Sequence, residues 1–303
     1  MDARITKQRL ANMLSYDWLK IIGAIALAAA VFCVFFMMIA TRATAGQTFY
    51  VYAYSGLTAG GDFSRLGDDL QDKNVFSYDI LDTGSETFSN GGLYGNSVFT
   101  ARRSSGEGRV MFVDDIRKED KEGKITSTLL GFIEGEGTPN ERFGMFVNPK
   151  DFLGECEEYL QKFFGEDLSE LNTEKARASF MERNGKDKRF RTSAKKEAGV
   201  KQEEERLKKL KDDYLSVKEA VDTELLGFTE YEGFEGKKHT LGFSMKTISK
   251  ITSLVYYTVE EEGKKVQKQD DLVLCIFNNG TREGDLKYET INFLAYLLRT
   301  YQK

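Results

Sequence analysis

The stretch Thr48–Leu81, TFYVYAYSGLTAGGDFSRLGDDLQDKNVFSYDIL, sets the fold class. Its first seven residues, Thr48–Tyr54, are aromatic and β-branched and read as a strand. Ser55–Gly61 is a turn carrying three glycines. Phe63, Leu66 and Leu70 recur at helical spacing, so Asp62–Gln71 is a short helix capped by Asp62. Val75–Leu81 is a second strand, Glu86–Val98 a loop, and Arg109–Val113 (RVMFV) a third strand ending in Asp114-Asp115. Strand, helix, strand, loop and strand at these spacings predict an α/β sheet.

Working outward, Thr126–Ile133 and Phe143–Val147 read as further strands around a Gly/Pro turn. Phe152, Cys156, Tyr159, Leu160 and Phe163 form one apolar helix face. A highly charged tract from Phe180 to Asp213 reads as a solvated helix or helix pair. Across and beyond it, Val200, Leu207, Leu210, Tyr214, Val217 and Val221 make a heptad-like stripe, interrupted by Glu203. Such a stripe serves either a partner or the helix's own domain. Thr240–Met245 and Leu254–Thr258 are strands, and Asp271–Phe277 (DLVLCIF) is a central strand covered on both faces. Tyr288–Tyr301 is the closing helix.

Upstream, Trp18–Ala40 reads WLKIIGAIALAAAVFCVFFMMIA, uncharged from Ile21 to Thr41. At ~1.5 Å per residue it spans a bilayer core of ~30 Å. A cleaved signal peptide competes with this reading, since Ala43-Thr44-Ala45 resembles a cleavage site, but the apolar run exceeds the usual ~7–15 residues. Arg4, Lys7, Arg9 and Lys20 precede the span and Arg42 follows it, which predicts a cytoplasmic N-terminus. The expected organisation is a tail over 1–18, a transmembrane helix over 19–41 and an extracytoplasmic domain over 46–303. The expected location is the cell membrane, crossed once and contacted through Trp18–Ala40.

The 303-residue chain carries a net charge of -5. Residues 1–42 hold five Lys/Arg against Asp2 and Asp17, so the rest carries -8, which disfavours nucleic acid as a partner. His239 is the only histidine, which argues against His-based zinc sites and Ser-His or Cys-His chemistry. Cys33 lies in the apolar segment, and Cys156 and Cys275 read as isolated thiols or one bridge. No metal or cofactor motif is present in the sequence. Asp82-Thr83-Gly84-Ser85 resembles the active-site loop of aspartic proteases, where two such aspartates activate water. No second copy occurs, so a homodimer would have to supply it. Strand-to-turn chemistry also accounts for all four residues.

Three segments, Ala101–Asp115 (ARRSSGEGRVMFVDD), Leu241–Tyr257 (LGFSMKTISKITSLVYY) and Asp271–Tyr296 (DLVLCIFNNGTREGDLKYETINFLAY), resemble the type II extracellular solute-binding proteins that serve ABC importers. The resemblance covers about a third of the chain. It implies two periplasmic-binding-protein-like α/β lobes, over 46–134 plus 266–303 and over 135–265, with helices inserted at 150–221. It implies ligand contacts at Tyr54, Ser55, Asp114, Asp115 and Thr83. The expected function is a membrane-anchored, non-enzymatic solute-binding-like protein associated with a membrane transporter or envelope complex. The alternatives are a structural adaptor docking through the 186–221 helices and a dimeric protease using Asp82.

Overall fold

The structure, a computed structural model, describes residues 7–8, 18–39, 43–54, 56–88, 93–119, 121, 123, 125–134, 145–185, 187–232 and 238–302. It comprises two units, Met1–Ala43 and Thr44–Lys303. In the first, residues 18–39 form the helix α1 (Trp18–Ile39), of 22 residues. At ~1.5 Å per residue it is about 33 Å long. It is long and apolar enough to cross a membrane.

The second unit is built on β1 (Thr48–Ala53), β2 (Thr58–Ala59), α2 (Leu66–Asp72), β3 (Asp82–Thr87), α3 (Leu93–Ser105), β4 (Val110–Asp114), the short pair β5 (Lys118–Glu119) and β6 (Ile125–Thr126), and α4 (Thr128–Glu134). A helical stretch follows: α5 (Pro149–Phe164), α6 (Thr173–Asn184) and α7 (Ser193–Asp222). The chain then forms β7 (Gly227–Glu232), β8 (Lys238–Ser244), β9 (Val255–Glu261), β10 (Lys264–Lys268), β11 (Leu272–Ile276) and α8 (Glu289–Tyr301).

Six strands make one mixed sheet, ordered β3-β1-β4-β11-β8-β7. β3 and β4 flank β1 in parallel, with Thr48 opposite Asp82 and Val51 opposite Val110. β11 runs antiparallel to β4, with Leu272 opposite Asp114. Side chains alternate between the faces. Phe49, Val51, Val110, Phe112, Leu272 and Leu274 join α2, α5, α7 and α8 in the larger core. Tyr52, Met111, Val113, Val273 and Cys275 join Phe99 of α3 and Leu129 and Leu130 of α4 on the other face. α2 and α3 thus cover opposite faces, the arrangement of a doubly wound sheet. Cys156 and Cys275 belong to opposite faces and both are free thiols.

The expectation of an α/β domain behind an apolar N-terminal helix holds. A division into two lobes is not seen among the described residues. Residues 44–303 form one unit, and the sheet joins β1, β3, β4 and β11 from one expected lobe to β7 and β8 from the other. Five local expectations are corrected. The Asp62 side chain caps no helix; a 3-10 turn over Phe63–Arg65 leads into α2. Glu86–Val98 is not one loop, since β3 runs to Thr87 and α3 starts at Leu93. Val75–Leu81 is not a strand; β3 starts at Asp82. Phe76, Tyr78 and Ile80 alternate as a strand would, but they anchor a loop. Phe76 packs on Phe49, and Tyr78 on Phe180 and Phe190 beside α6. Thr126–Ile133 is not a strand either, since Thr128 opens α4 and the Ser127 hydroxyl accepts from Leu130 N at 3.0 Å. Of the expected strand at Phe143–Val147, Phe146 makes one bridge, to Phe277, and 143–144 lie outside the described residues.

The heptad-like stripe of α7 faces inward. Val200, Leu207, Leu210, Tyr214 and Val217 are all buried. Glu203, which interrupts the stripe, is completely buried and belongs to an ionic network. Its carboxylate meets Arg206 at 3.1 Å, Arg183 at 2.5 Å and the Tyr78 hydroxyl at 3.1 Å. Arg206 also bonds Glu289 at 2.9 Å and the Tyr159 hydroxyl at 3.1 Å. Arg183 and Arg189 close on the buried Asp79. The network ties α6 and α7 to the α/β core at the start of α8. A buried charge is tolerated only when paired this fully.

Candidate functional site

Both ends of the central strands carry polar groups. At the carboxyl ends of β1 and β4 stand Tyr54, Asp114 and Asp115. Tyr54 N bonds Phe112 O at 2.9 Å. A Cβ on Gly56 would lie 2.9 Å from Asp114 Oδ2, so glycine lets this loop close on the carboxylate. Both aspartates are buried and engaged. Asp114 Oδ1 accepts from the Thr128 hydroxyl at 2.9 Å, and Asp115 Oδ1 from the Ser127 hydroxyl at 2.5 Å. Asp115 also pairs with Arg117 at 2.9 Å. The pair therefore holds the start of α4. Ser55 lies outside the described residues.

Burial raises the Asp114 carboxyl above the usual range, against the lowering pull of Thr128 and of the Ile116 amide. A raised carboxyl pKa gives stability that is present at low pH and lost as pH rises through the folded value. Asp114→Asn keeps an acceptor for Thr128 and removes that loss. It should be as stable as the parent near pH 4 and no less stable, by up to ~1 kcal/mol more, at pH 7. Urea midpoints at the two pH values test this; a loss that grows with pH contradicts it.

Thr83 is not at this end. It lies near the start of β3, opposite Phe49. Its hydroxyl donates to Gly67 O at 2.7 Å, and a Cβ on Gly67 would lie 2.8 Å from Thr83 O. Asp82 accepts from the Tyr50 hydroxyl at 2.8 Å, and Ser85 donates to Phe63 O at 2.5 Å. The Asp-Thr-Gly-Ser string is thus the first part of an edge strand, not a turn; the Thr83 bond seats α2 against it and the Ser85 bond seats the residues just before α2. Thr83→Val should cost about 1 kcal/mol by leaving Gly67 O without its donor, measured by urea denaturation. A neutral result would show the bond to be dispensable.

The other end, where β11 ends beside the start of β4, opens into a cleft of about 610 Å³. That volume is in the range of small-molecule sites. Phe146 and Phe277 stack in its lining with centroids 5.5 Å apart. Phe152 and Tyr288 form an aromatic wall, 6.0 Å apart. Val147 N bonds Ile276 O at 2.9 Å and Asn278 N bonds Met145 O at 2.7 Å, which fixes 145–148 along the end of β11. Asn148 then caps α5, its side chain accepting from Lys150 N at 3.0 Å, with Pro149 as first helical residue. Asp151 follows in the first turn.

The opposite wall is the 277–288 loop, which is held from behind. Glu283 pairs with Arg109 at 2.5 Å, and both side chains are almost wholly buried. Arg109 donates onward to Gly46 O at 3.0 Å and Thr48 O at 3.2 Å. Asn279 donates to Gly108 O at 2.9 Å. Lys287 pairs with Glu155 at 2.5 Å. Burial pushes the Tyr288 phenol up to about 12, against the pull of Lys287, so it remains a hydrogen-bond donor at neutral pH. None of the residues predicted from sequence lines this cleft. The available signal was the Asn-Asn-Gly loop directly after the central strand.

A second cavity of about 650 Å³ lies between the 70–83 segment and α7, with Leu70, Phe76, Ile80 and Thr83 in its lining. Among the described residues, no group of three or more His, Cys, Asp or Glu is placed to hold a metal ion. No family model, curated protein or solved structure matches the chain.

Proposed function

We propose that this chain is a membrane-anchored, non-enzymatic binding protein that takes a small polar ligand in the cleft between the 277–288 loop and the start of α5. The observation that carries this reading is the convergence there of aromatic faces with amide and carboxylate groups. The anchor is α1, and the charge bias around it supports an extracytoplasmic domain. The likeness of three segments to type II solute-binding proteins supports the same reading and points to a membrane transporter or envelope complex as partner. It differs from that likeness in one respect: the cleft belongs to a single unit, not to an interlobe gap.

The test is a thermal-shift screen of polar metabolites on the full chain in detergent, run beside Thr281→Trp. Thr281 is exposed and lines the cleft, so a bulky residue there fills it without disturbing the core. A hit should raise the midpoint of the parent and not of the variant. Hits that survive Thr281→Trp would move the site elsewhere. Protease accessibility of sealed vesicles tests the side on which residues 44–303 lie.

A further inference from the structure

The side chains around the cleft divide unevenly between acceptors and donors. Four carboxylates line it, from Asp151, Glu155, Glu283 and Asp285, against one ammonium, Lys287. Glu283 is neutralised from behind by Arg109, and Glu155 by Lys287. Among the described residues, Asp151 and Asp285 have no cationic partner. Asn279 adds a further acceptor, since its Oδ1 is buried without a hydrogen-bond partner.

The aromatic lining favours the same sign of charge. Ring faces attract cations, and two rings of this cleft already carry the protein's own. The Arg103 guanidinium lies 3.8 Å from the Phe277 centroid, and Lys287 Nζ lies 5.0 Å from that of Tyr288. The Lys287 ammonium is held between a ring face and the Glu155 carboxylate, the environment that an amine ligand would need. An anionic ligand would instead bring its charge beside Asp151 and Asp285, where like charges repel. A neutral polyol would leave both carboxylates without a counter-charge.

We infer that the ligand of this cleft is a small organic cation, an amine or guanidinium compound, held by Asp151 and Asp285 against the Phe152 and Tyr288 rings. This rests on the binding reading above. Lys287 competes with the ligand for Glu155 and for the Tyr288 face, and so limits its affinity.

Calorimetric titration of the full chain in detergent with spermidine and agmatine tests this, with succinate and glucose as opposite probes. The two cations should bind, and the other two should not. Asp151→Asn with Asp285→Asn should weaken cation binding by about tenfold or more, the scale of one lost charge contact at a partly exposed site. Asp151 is exposed and Asp285 half-buried, so the isosteric amides should leave the fold in place, and an unchanged melting midpoint verifies it. Lys287→Met should tighten binding by roughly tenfold. Binding of succinate or glucose, blocked by Thr281→Trp, with no binding of the cations would overturn the charge class and leave the binding reading standing. Cation binding that ignores the Asp pair would overturn the site. Silence from all four probes and from the metabolite screen would remove both readings.

Discussion

Replacing Arg206 with Met should cost the domain roughly 3–5 kcal/mol, because it leaves the buried Glu289 without its counter-charge and the buried Glu203 with Arg183 alone. Arg206 is 1% exposed at its side chain, and Glu203 and Glu289 are fully buried. The guanidinium meets Glu203 and Glu289 and accepts no substitute from solvent at that depth. Glu289 keeps bonds from Ser77 N at 3.1 Å and Asn292 at 2.7 Å, but these are neutral donors. Removing the whole set, with Glu203→Gln and Glu289→Gln added to Arg206→Met, should recover much of the loss, since apolar or neutral replacements avoid the desolvation cost. Urea denaturation of the three-fold and single variants measures both effects. A single-variant loss below ~1 kcal/mol would mean that the network is not paired as described.

The same network has a pH signature. Burial pushes the Glu289 carboxyl up, but Arg206 and the Ser77 amide outweigh it and the net shift is down. A depressed carboxyl pKa gives stability that is present above the ordinary glutamate value of about 4.3 and is lost as pH falls below it. The parent should therefore weaken on acidification through that window, and Arg206→Met should show a flatter acid limb.

The second large effect is expected at Arg109. Arg109→Met should also cost roughly 3–5 kcal/mol, since it strands Glu283 as an unpaired buried acid. It differs in where the damage spreads. Arg109 joins Glu283, on the cleft loop, to the carbonyls of Gly46 and Thr48 at the entry to β1. Its loss should free the 277–288 loop, read as faster amide exchange there than in β4 or β11, and should weaken ligand binding with it. Arg109→Lys keeps the charge but loses the forked geometry, so it should fall between. Uniform exchange across the sheet would contradict a local role.

What sequence alone could deliver follows from how local each signal is. Asp271–Phe277 was legible because a strand buried on both faces needs an unbroken apolar run. α5 and α8 were legible because one face of each repeats at helical spacing. β3 was not, because Phe76, Tyr78 and Ile80 imitate a strand while Thr83 and Ser85 are chosen for bonds to the α2 side that only the fold supplies. Glu203 read as a flaw in a stripe because its partners Tyr78 and Arg183 are distant in the chain. The resemblance points to the end with Tyr54, Asp114 and Asp115, yet the two carboxylates there are spent on the start of α4. The cleft was missed because Phe146, Asp151 and Tyr288 meet only after β11 has brought their segments together.

The position of β11 also governs how the domain can come into being. It is the last strand along the chain, and it sits between β4 and β8 in the middle of the sheet. Until residues 272–276 emerge from the ribosome, β4 and the β7-β8 hairpin have nothing to join them. The nascent chain must therefore carry the bare edge of β4 from residue 114 until residue 272, joined late by that of β8, and sheet closure waits for a pairing between Val110 and Ile276. Such distant pairings are slow and leave apolar edges open to wrong partners. Production of this domain should depend on chaperones that shield strands, and loss of its final segment should give aggregate instead of a smaller folded core.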